Sequence, residues 1–135
     1  MAYKIIDIEG IGPVYSEKLI AAGITTPEEL LEKCATPAGR KDLAAVTGIS
    51  YDLILTWANH ADLFRIKGVG PQFSELLEAA GVDTVKELAT RNPENLQKKL
   101  EETNEVKHLT RRVPVLKEVR KMIDQAKALP AVMSY

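Results

Sequence analysis

An internal repeat constrains the fold of this chain more than any other feature of the sequence. The segment 8–13 (IEGIGP) returns as 66–71 (IKGVGP), 58 residues later. At the same spacing AAGI at 21–24 returns as AAGV at 79–82, and Thr26 and Glu29 return as Thr84 and Glu87. Matches spread over more than twenty positions indicate two copies of one structural unit.

Each copy has the pattern of a helical unit. The Gly-x-Gly-Pro segment predicts a tight turn that opens a helix, because glycine tolerates positive φ and proline suits a first helical turn. Gly23 and Gly81 are predicted to end these two helices. Residues 26–29 (TPEE) and 84–87 (TVKE) have the pattern of capping boxes that start the next helix.

Further helices follow in each copy. A turn at 47–50 leads into a helix predicted over 51–63, a second helix begins at Asn92-Pro93, and a third runs from Pro114 to about Leu129. If 57–63 is aligned with 123–129, the second copy carries eight more residues than the first, in the polar segment 101–112, which is expected to be a loop or an added helical turn. The stretch 4–8 is predicted to be a short helix or an extended lead-in.

These elements predict an all-α protein of two tandem units, residues 1–64 and 65–135. A unit of roughly 60 residues has a marginal core by itself. Residues 63–65 leave almost no linker between the two units. We therefore expect the units to pack together as one compact body.

Composition narrows the class of protein. Among the 135 residues, 45% are hydrophobic and 27% are charged, which is ordinary for a packed globular chain. No apolar run reaches the length that spans a bilayer, and the first residues lack the pattern of a signal peptide. Cys34 is the single cysteine, so an intramolecular disulfide is excluded. Together these features predict a cytoplasmic protein without membrane association.

The charge is nearly balanced overall but uneven along the chain. The net charge is −1, whereas a dedicated non-specific nucleic-acid binder is usually basic. Residues 1–65 carry six basic and nine acidic side chains, and residues 66–135 carry twelve and ten. The second half is therefore the better candidate for contact with a polyanion.

The two Gly-x-Gly segments, with their helices, glycine stops and capped helices, resemble the helix-hairpin-helix motif. From about Ile5 to Pro130 the chain resembles an uncharacterised bacterial and archaeal domain-of-unknown-function family built on tandem copies of that motif. Individual elements are similar to the N-terminal domain of strand-exchange recombinases and to the C-terminal domain of the RNA polymerase alpha subunit. The resemblance implies a SAM-like helical fold whose hairpin N–H groups contact phosphates, with a nearby carbonyl as a place for a monovalent cation.

Elementary chemistry also makes the hairpins candidate anion sites. N–H groups exposed at a turn beside a helix N-terminus attract phosphate, and glycine lets it approach without a Cβ in the way. The candidate nucleic-acid-binding residues are Gly10, Ile11, Gly12 and Lys18 in the first copy, Gly48 and Ser50 in the turn that follows, Lys67, Gly68, Val69 and Gly70 in the second copy, and Arg111 and Arg112 in a basic cluster.

Other residues at the hairpins disfavour phosphate. Val14 and Gln72 stand where DNA-binding hairpins usually carry lysine or arginine, and Glu9 would repel an anion. Two functions therefore stay open. One is weak, non-specific binding to the backbone of DNA or RNA. The other is a protein-interaction or scaffold module, in which the glycines only form tight interhelical turns.

No residues form a recognisable catalytic set. His60 and His108 are isolated, and both are expected at the surface or at its boundary. Cys34 has no spaced histidine partner and is expected to be a small buried residue. We expect no enzymatic activity, no cofactor and no bound metal.

Overall fold

Proline opens five of the eight α-helices in the part of the chain that is described. A computed structural model describes residues 3–135, and every regular element within that range is helical. Proline is favoured at the first helical position because the N–H that it lacks has no partner there and its φ is already helical. The prediction of an all-α protein is confirmed.

The first compact unit comprises the described residues through Asp62, together with Val132–Tyr135. A short 3-10 helix at Ile5–Asp7 occupies the stretch predicted as a short helix or lead-in. The α-helices that follow are α1 (Pro13–Ala21), α2 (Pro27–Cys34), α3 (Pro37–Thr47) and α4 (Tyr51–Leu63). The 3-10 helix contacts α1, and α2 packs against α3.

Aromatic packing connects α1 to α4 in this unit. The rings of Tyr15 and Trp57 meet edge to face, with centroids 5.1 Å apart and planes at 60°. Trp57 is 1% exposed and occupies the middle of α4. His60, three residues further along α4, is 2% exposed, so the expectation of a surface or boundary position is wrong for it.

The second compact unit comprises Leu63–Ala131. Its helices are α5 (Pro71–Ala79), α6 (Val85–Ala89), α7 (Pro93–Lys107) and α8 (Leu116–Ala128). α8 packs against α6 and α7, and α5 packs against α7. All four helices supply the apolar core of this unit, including Leu76, Leu77, Val85, Leu88, Leu96, Leu100, Val119, Met122, Ile123 and Ala126.

Each unit contains the same pattern of backbone hydrogen bonds at the end of its first α-helix, and the two patterns are 58 residues apart in the sequence. After α1, the Gly23 N–H donates to Ile20 O (2.9 Å) and the Ile24 N–H to Leu19 O (2.9 Å). After α5, Gly81 donates to Glu78 O (2.9 Å) and Val82 to Leu77 O (2.8 Å). Both pairs form a Schellman motif around a glycine with positive φ, as the predicted stops require.

The capping pattern is complete in the first unit and altered in the second. Thr26 Oγ1 accepts from the Glu29 N–H (3.1 Å), while the Glu29 carboxylate accepts from the Thr26 N–H (3.1 Å). Thr84 Oγ1 likewise accepts from the Glu87 N–H (3.3 Å), but the Glu87 carboxyl takes its backbone hydrogen bond from Asp83. The Thr25 N–H also donates to Glu29 (3.0 Å), so the bond from Asp83 has a counterpart in the first unit.

The additional residues of the second unit extend a helix. α7 continues to Lys107 and ends at His108, whose φ of 51° is left-handed, so much of the polar segment 101–112 is added helix. The remainder leads to α8 without regular structure. At the end of the chain, residues 132–135 belong to the first unit, whereas the division proposed from sequence grouped them with the second.

Candidate functional site

Two Gly-x-Gly turns, here called the first turn (residues 8–12) and the second turn (residues 66–70), have the same backbone geometry. The Ile11 N–H donates to Ile8 O at 3.1 Å, and the Val69 N–H donates to Ile66 O at 3.1 Å. Gly10 and Gly68 have φ of 93° and 92°. In both turns the N–H of residue i+3 donates to the carbonyl of residue i, and residue i+2 has positive φ. This is the pattern of a type II turn, which favours glycine at position i+2.

The second glycine of each turn has a different role from the one predicted. Gly12 has φ −86° and ψ −177°, and Gly70 has φ −114° and ψ −163°, so both are extended and neither needs positive φ. Each is the N-cap of the following helix, and glycine offers no side-chain oxygen to cap it. The absence of a capping side chain is the chemically important property of these two positions.

The helices that follow the turns therefore begin with unsatisfied donors. Among the described residues, the N–H groups of Val14 and Tyr15 in α1 find no acceptor, and the same holds for Gln72 and Phe73 in α5. The N-terminus of a helix carries a partial positive charge, so such donors favour an anion. Both turns present the same arrangement.

Ile11 and Val69 each follow the first glycine of a turn, and their side chains are buried. Their side chains are 4% and 3% exposed, and their N–H groups are already used within the turns. These two predicted binding residues therefore have neither a free donor nor an exposed side chain. They anchor each turn on the core, and the donors available to a ligand lie on the residues after Gly12 and Gly70.

Lys18 and Lys67 are exposed but differ in position. Lys18 lies in the last turn of α1, about 9 Å along the helix axis from Gly12. Lys67 lies within the second turn, where its N–H donates to Gln125 Oε1 (2.9 Å) and its carbonyl accepts from Gln125 Nε2 (3.4 Å). Gln125, which the sequence analysis did not single out, thus fixes the second turn on α8 and leaves the Lys67 side chain at the surface.

The third predicted turn, at Thr47–Ser50, uses its own polar groups. Gly48 has φ 73°, the Ile49 N–H donates to Thr47 Oγ1 (3.2 Å), and Ser50 Oγ accepts from the Leu53 N–H (3.3 Å). Ser50 therefore caps the start of α4. Because a serine side chain already caps the helix that follows, this turn is a weaker candidate for an anion than the two turns that end in glycine.

The two predicted arginines are in different environments. Arg112 donates to Glu118 Oε1 (2.7 Å) and Oε2 (2.9 Å), and its guanidinium lies over the ring of Phe73 at 5.3 Å. The Arg112 guanidinium and the Val115 N–H hold the pKa of Glu118 at about 2. Arg112 thus reaches the first turn of α5 with its charge paired, whereas Arg111 is exposed and makes no ion pair with a described residue.

The described part of the chain is predicted to hold no metal site, and its one cysteine is predicted to be buried. No group of three or more His, Cys, Asp or Glu side chains there could hold a metal ion. Burial raises the pKa of the Cys34 thiol to about 11, which is unsuited to a nucleophile. None of the helices in residues 3–135 combines the length and the apolarity that crossing a bilayer would need.

Comparison with known proteins gives the family. The chain belongs to the DUF4332 family, a domain of unknown function, whose model matches residues 9–129. No curated protein and no solved structure matches the chain.

Proposed function

We propose that this protein is a small tandem helix-hairpin-helix module of the cytoplasm that binds the phosphate backbone of DNA or RNA weakly and without sequence preference. The phosphate would accept hydrogen bonds from the first turn of α1 and of α5. We propose binding alone, with no catalytic step and no cofactor.

One repeated observation carries this proposal. The N–H groups of Val14 and Tyr15, and of Gln72 and Phe73, have no acceptor in the described structure, and each pair follows a glycine N-cap. A Cβ added at Gly12 would meet no atom within 4 Å, so the space in front of the first pair is open. Phosphate oxygens are suitable acceptors for such donors at a helix N-terminus.

Charge limits the expected affinity. The net charge is −1, exposed Glu9 lies within the first turn, and exposed Glu17 lies on the helix that follows it. Binding through one or two phosphates at each turn would give a slope of log affinity against log salt of about −2 to −4. The dissociation constant should be that of non-specific binding, roughly 10⁻⁴ to 10⁻⁶ M.

The decisive variant is Gly12→Asp. An aspartate at this extended N-cap would accept the N–H groups that await a phosphate, and it would also repel the phosphate. Glycine is itself an acceptable N-cap, so the helix should gain only about 0.3 kcal/mol of stability. We therefore expect a higher melting temperature together with weaker binding, measured by anisotropy of labelled single-stranded and duplex oligonucleotides at several salt concentrations. Gly70→Asp should act in the same way at the second turn.

Thr36→Asp is the matched control. Thr36 is the exposed N-cap of α3 and already accepts from the Gly39 N–H, so the substitution adds the same charge at a capped helix start outside the turns. Affinity should change little in this control. Equal losses in Gly12→Asp and Thr36→Asp would show that overall charge, and not the turn, governs binding.

Exposed apolar residues on α1 favour a second candidate, a protein-interaction module. Val14 is 65% exposed and Ile20 is 51% exposed. Val14 is the second residue after the turn, where a nucleic-acid interface would gain from a basic side chain. If no oligonucleotide binds at low salt, the protein-interaction function becomes the better account of the fold.

A further inference from the structure

Arg40 on α3 is a buried arginine that the sequence analysis did not single out. Its side chain is 1% exposed and forms no ion pair with any described residue. Nε donates to Tyr51 Oη (3.0 Å), Nη1 to Cys34 O (2.9 Å) and Nη2 to Ser134 O (2.8 Å). The rings of Tyr51 and Tyr135 lie 5.8 and 5.4 Å from the guanidinium carbon. Its charge is therefore stabilised by carbonyls, a hydroxyl and two aromatic faces.

The segment Val132–Tyr135 supplies part of that environment and is itself held by several contacts. The Ser134 N–H donates to Ala35 O (2.8 Å), and Ser134 Oγ lies 3.2 Å from the same oxygen. Tyr135 Oη donates to Asn59 Oδ1 (2.7 Å). The Met133 side chain is 9% exposed. The segment is thus held by the buried side chain of Met133, by the main-chain hydrogen bonds of Ser134 and by the hydroxyl hydrogen bond of Tyr135.

The carbonyl groups at the end of α2 need hydrogen-bond donors from elsewhere in the chain. α2 stops at Cys34 and α3 begins at Pro37, so the carbonyls of Cys34 and Ala35 have no helical donor. Arg40 satisfies the first carbonyl, and Ser134 satisfies the second. Without the segment, the Ala35 carbonyl and one N–H of Arg40 would each lose a protein partner and depend on water instead.

We propose that the surface formed by Ala35, Arg40, Tyr51 and Asn59 is a peptide-binding site, occupied here by the protein's own segment 132–135. Its ligand class is an extended peptide with a large apolar residue, then serine, then tyrosine. Pairing both main-chain groups of the serine position gives affinity, as in other modes of extended-peptide recognition, and the flanking side chains give specificity.

A chain ending at Ala131 tests the proposal with the peptide Ala-Val-Met-Ser-Tyr, acetylated and amidated so that its termini carry no charge. The peptide should bind saturably, and the melting temperature of the shortened chain should rise with peptide concentration. A peptide with proline in place of serine lacks the donor for Ala35 O and should neither bind nor raise the melting temperature. Equal binding of the proline peptide would overturn the proposal.

The tyrosine contact provides a second, independent readout. A peptide with phenylalanine in place of tyrosine should bind about 2- to 10-fold more weakly, because it loses one hydrogen bond. In a shortened chain that also carries Asn59→Ala, the two peptides should bind equally. A preference for tyrosine that persists without Asn59 would place the peptide elsewhere and contradict the assignment.

The full-length variant Ser134→Pro keeps the proposal testable if the shortened chain does not fold alone. It keeps the length of the chain, removes the serine N–H and side chain that hold the segment on Ala35, and also restricts the backbone at positions 133 and 134. The serine peptide should bind to this variant and raise its melting temperature. Absence of saturable binding to this variant, and absence of any stabilisation of the shortened chain by the peptide, would overturn the proposal.

Discussion

Gly10 lies against the indole nitrogen of Trp57: a Cβ added at Gly10 would stand 3.3 Å from Nε1. The equivalent residue of the second turn, Gly68, faces only the terminal methyl of Met122, at 4.0 Å. The two turns therefore share a backbone conformation, but a core helix approaches the first more closely.

Alanine substitutions should rank according to these environments. Gly10→Ala combines a positive φ with a tight contact and should lower the free energy of unfolding by about 1–3 kcal/mol. Gly68→Ala has the strained φ without the tight contact, so it should lower the free energy of unfolding by about 1 kcal/mol. Gly12→Ala, at φ −86° in open space, avoids both costs and loses only the advantage of glycine over alanine as an N-cap, so it should cost less than Gly10→Ala. Urea denaturation of the three variants measures this order, and a cost for Gly12→Ala equal to that for Gly10→Ala would contradict it.

The sequence predicted the helical turns better than the role of each glycine within them. The Gly-x-Gly repeat placed the turns correctly, but only Gly10 and Gly68 have positive φ, whereas Gly12 and Gly70 are extended. A motif of two glycines does not say which of them the backbone needs. That distinction depends on where the turn hydrogen bond closes, and it makes Gly12 usable as a probe of binding that spares the fold.

The ion pair between Arg112 and Glu118 should contribute to stability above acid pH. Because the folded pKa of Glu118 is about 2, below its ordinary value of 4.5, the contribution is present above pH 4.5 and is lost as the pH falls towards 2. Both side chains are substantially exposed, at 61% and 35%, so solvent screening should keep this contribution small.

Glu118→Gln isolates this effect, since glutamine keeps an oxygen for the Val115 N–H and removes the charge. Melting temperatures of the wild type and the variant, compared between pH 7 and pH 2, should converge at the acid end. Curves that stay parallel across this range would show that the pair does not contribute to stability.

Cys34 should be inert in the native protein. Its side chain is fully buried at the end of α2, and burial raises its pKa from 9.0 to about 11. A thiol reagent at pH 8 should therefore react with the unfolded protein far faster than with the folded one. Rapid stoichiometric modification under native conditions would contradict this prediction.

The same shift predicts a loss of stability at alkaline pH. The folded state holds the thiol proton more tightly, so the contribution is complete below pH 9 and falls as the pH rises towards 11. Cys34→Ala should remove this component from the slope of stability against pH. The comparison is between slopes, because alanine also leaves a small cavity.

Long-range contacts account for what the sequence could not predict. Arg40 lies 94 residues from Ser134, and Gln125 lies 58 residues from Lys67. No local sequence pattern predicts either contact. An arginine on a helix, for example, ordinarily indicates a solvent-exposed face. Proline and threonine helix starts are local, by contrast, and Pro13, Pro27, Pro71 and Pro93 mark helix starts in the structure as predicted.

Charge reversal at four basic residues separates the contribution of the turns from general electrostatics. Lys67→Glu lies within the second turn, where Gln125 fixes the backbone, so it should weaken oligonucleotide binding and flatten the salt slope by about one unit. Lys18→Glu should have a smaller effect, because Lys18 lies at the far end of α1.

Arg111→Glu should match Lys67→Glu only if the basic face of the second unit also contacts the phosphate backbone of the nucleic acid. Arg112→Glu should chiefly lower stability, because it places two carboxylates together. Salt-titrated anisotropy and thermal melts of the four variants test these expectations, and unchanged binding in all of them would refute phosphate contact at the turns.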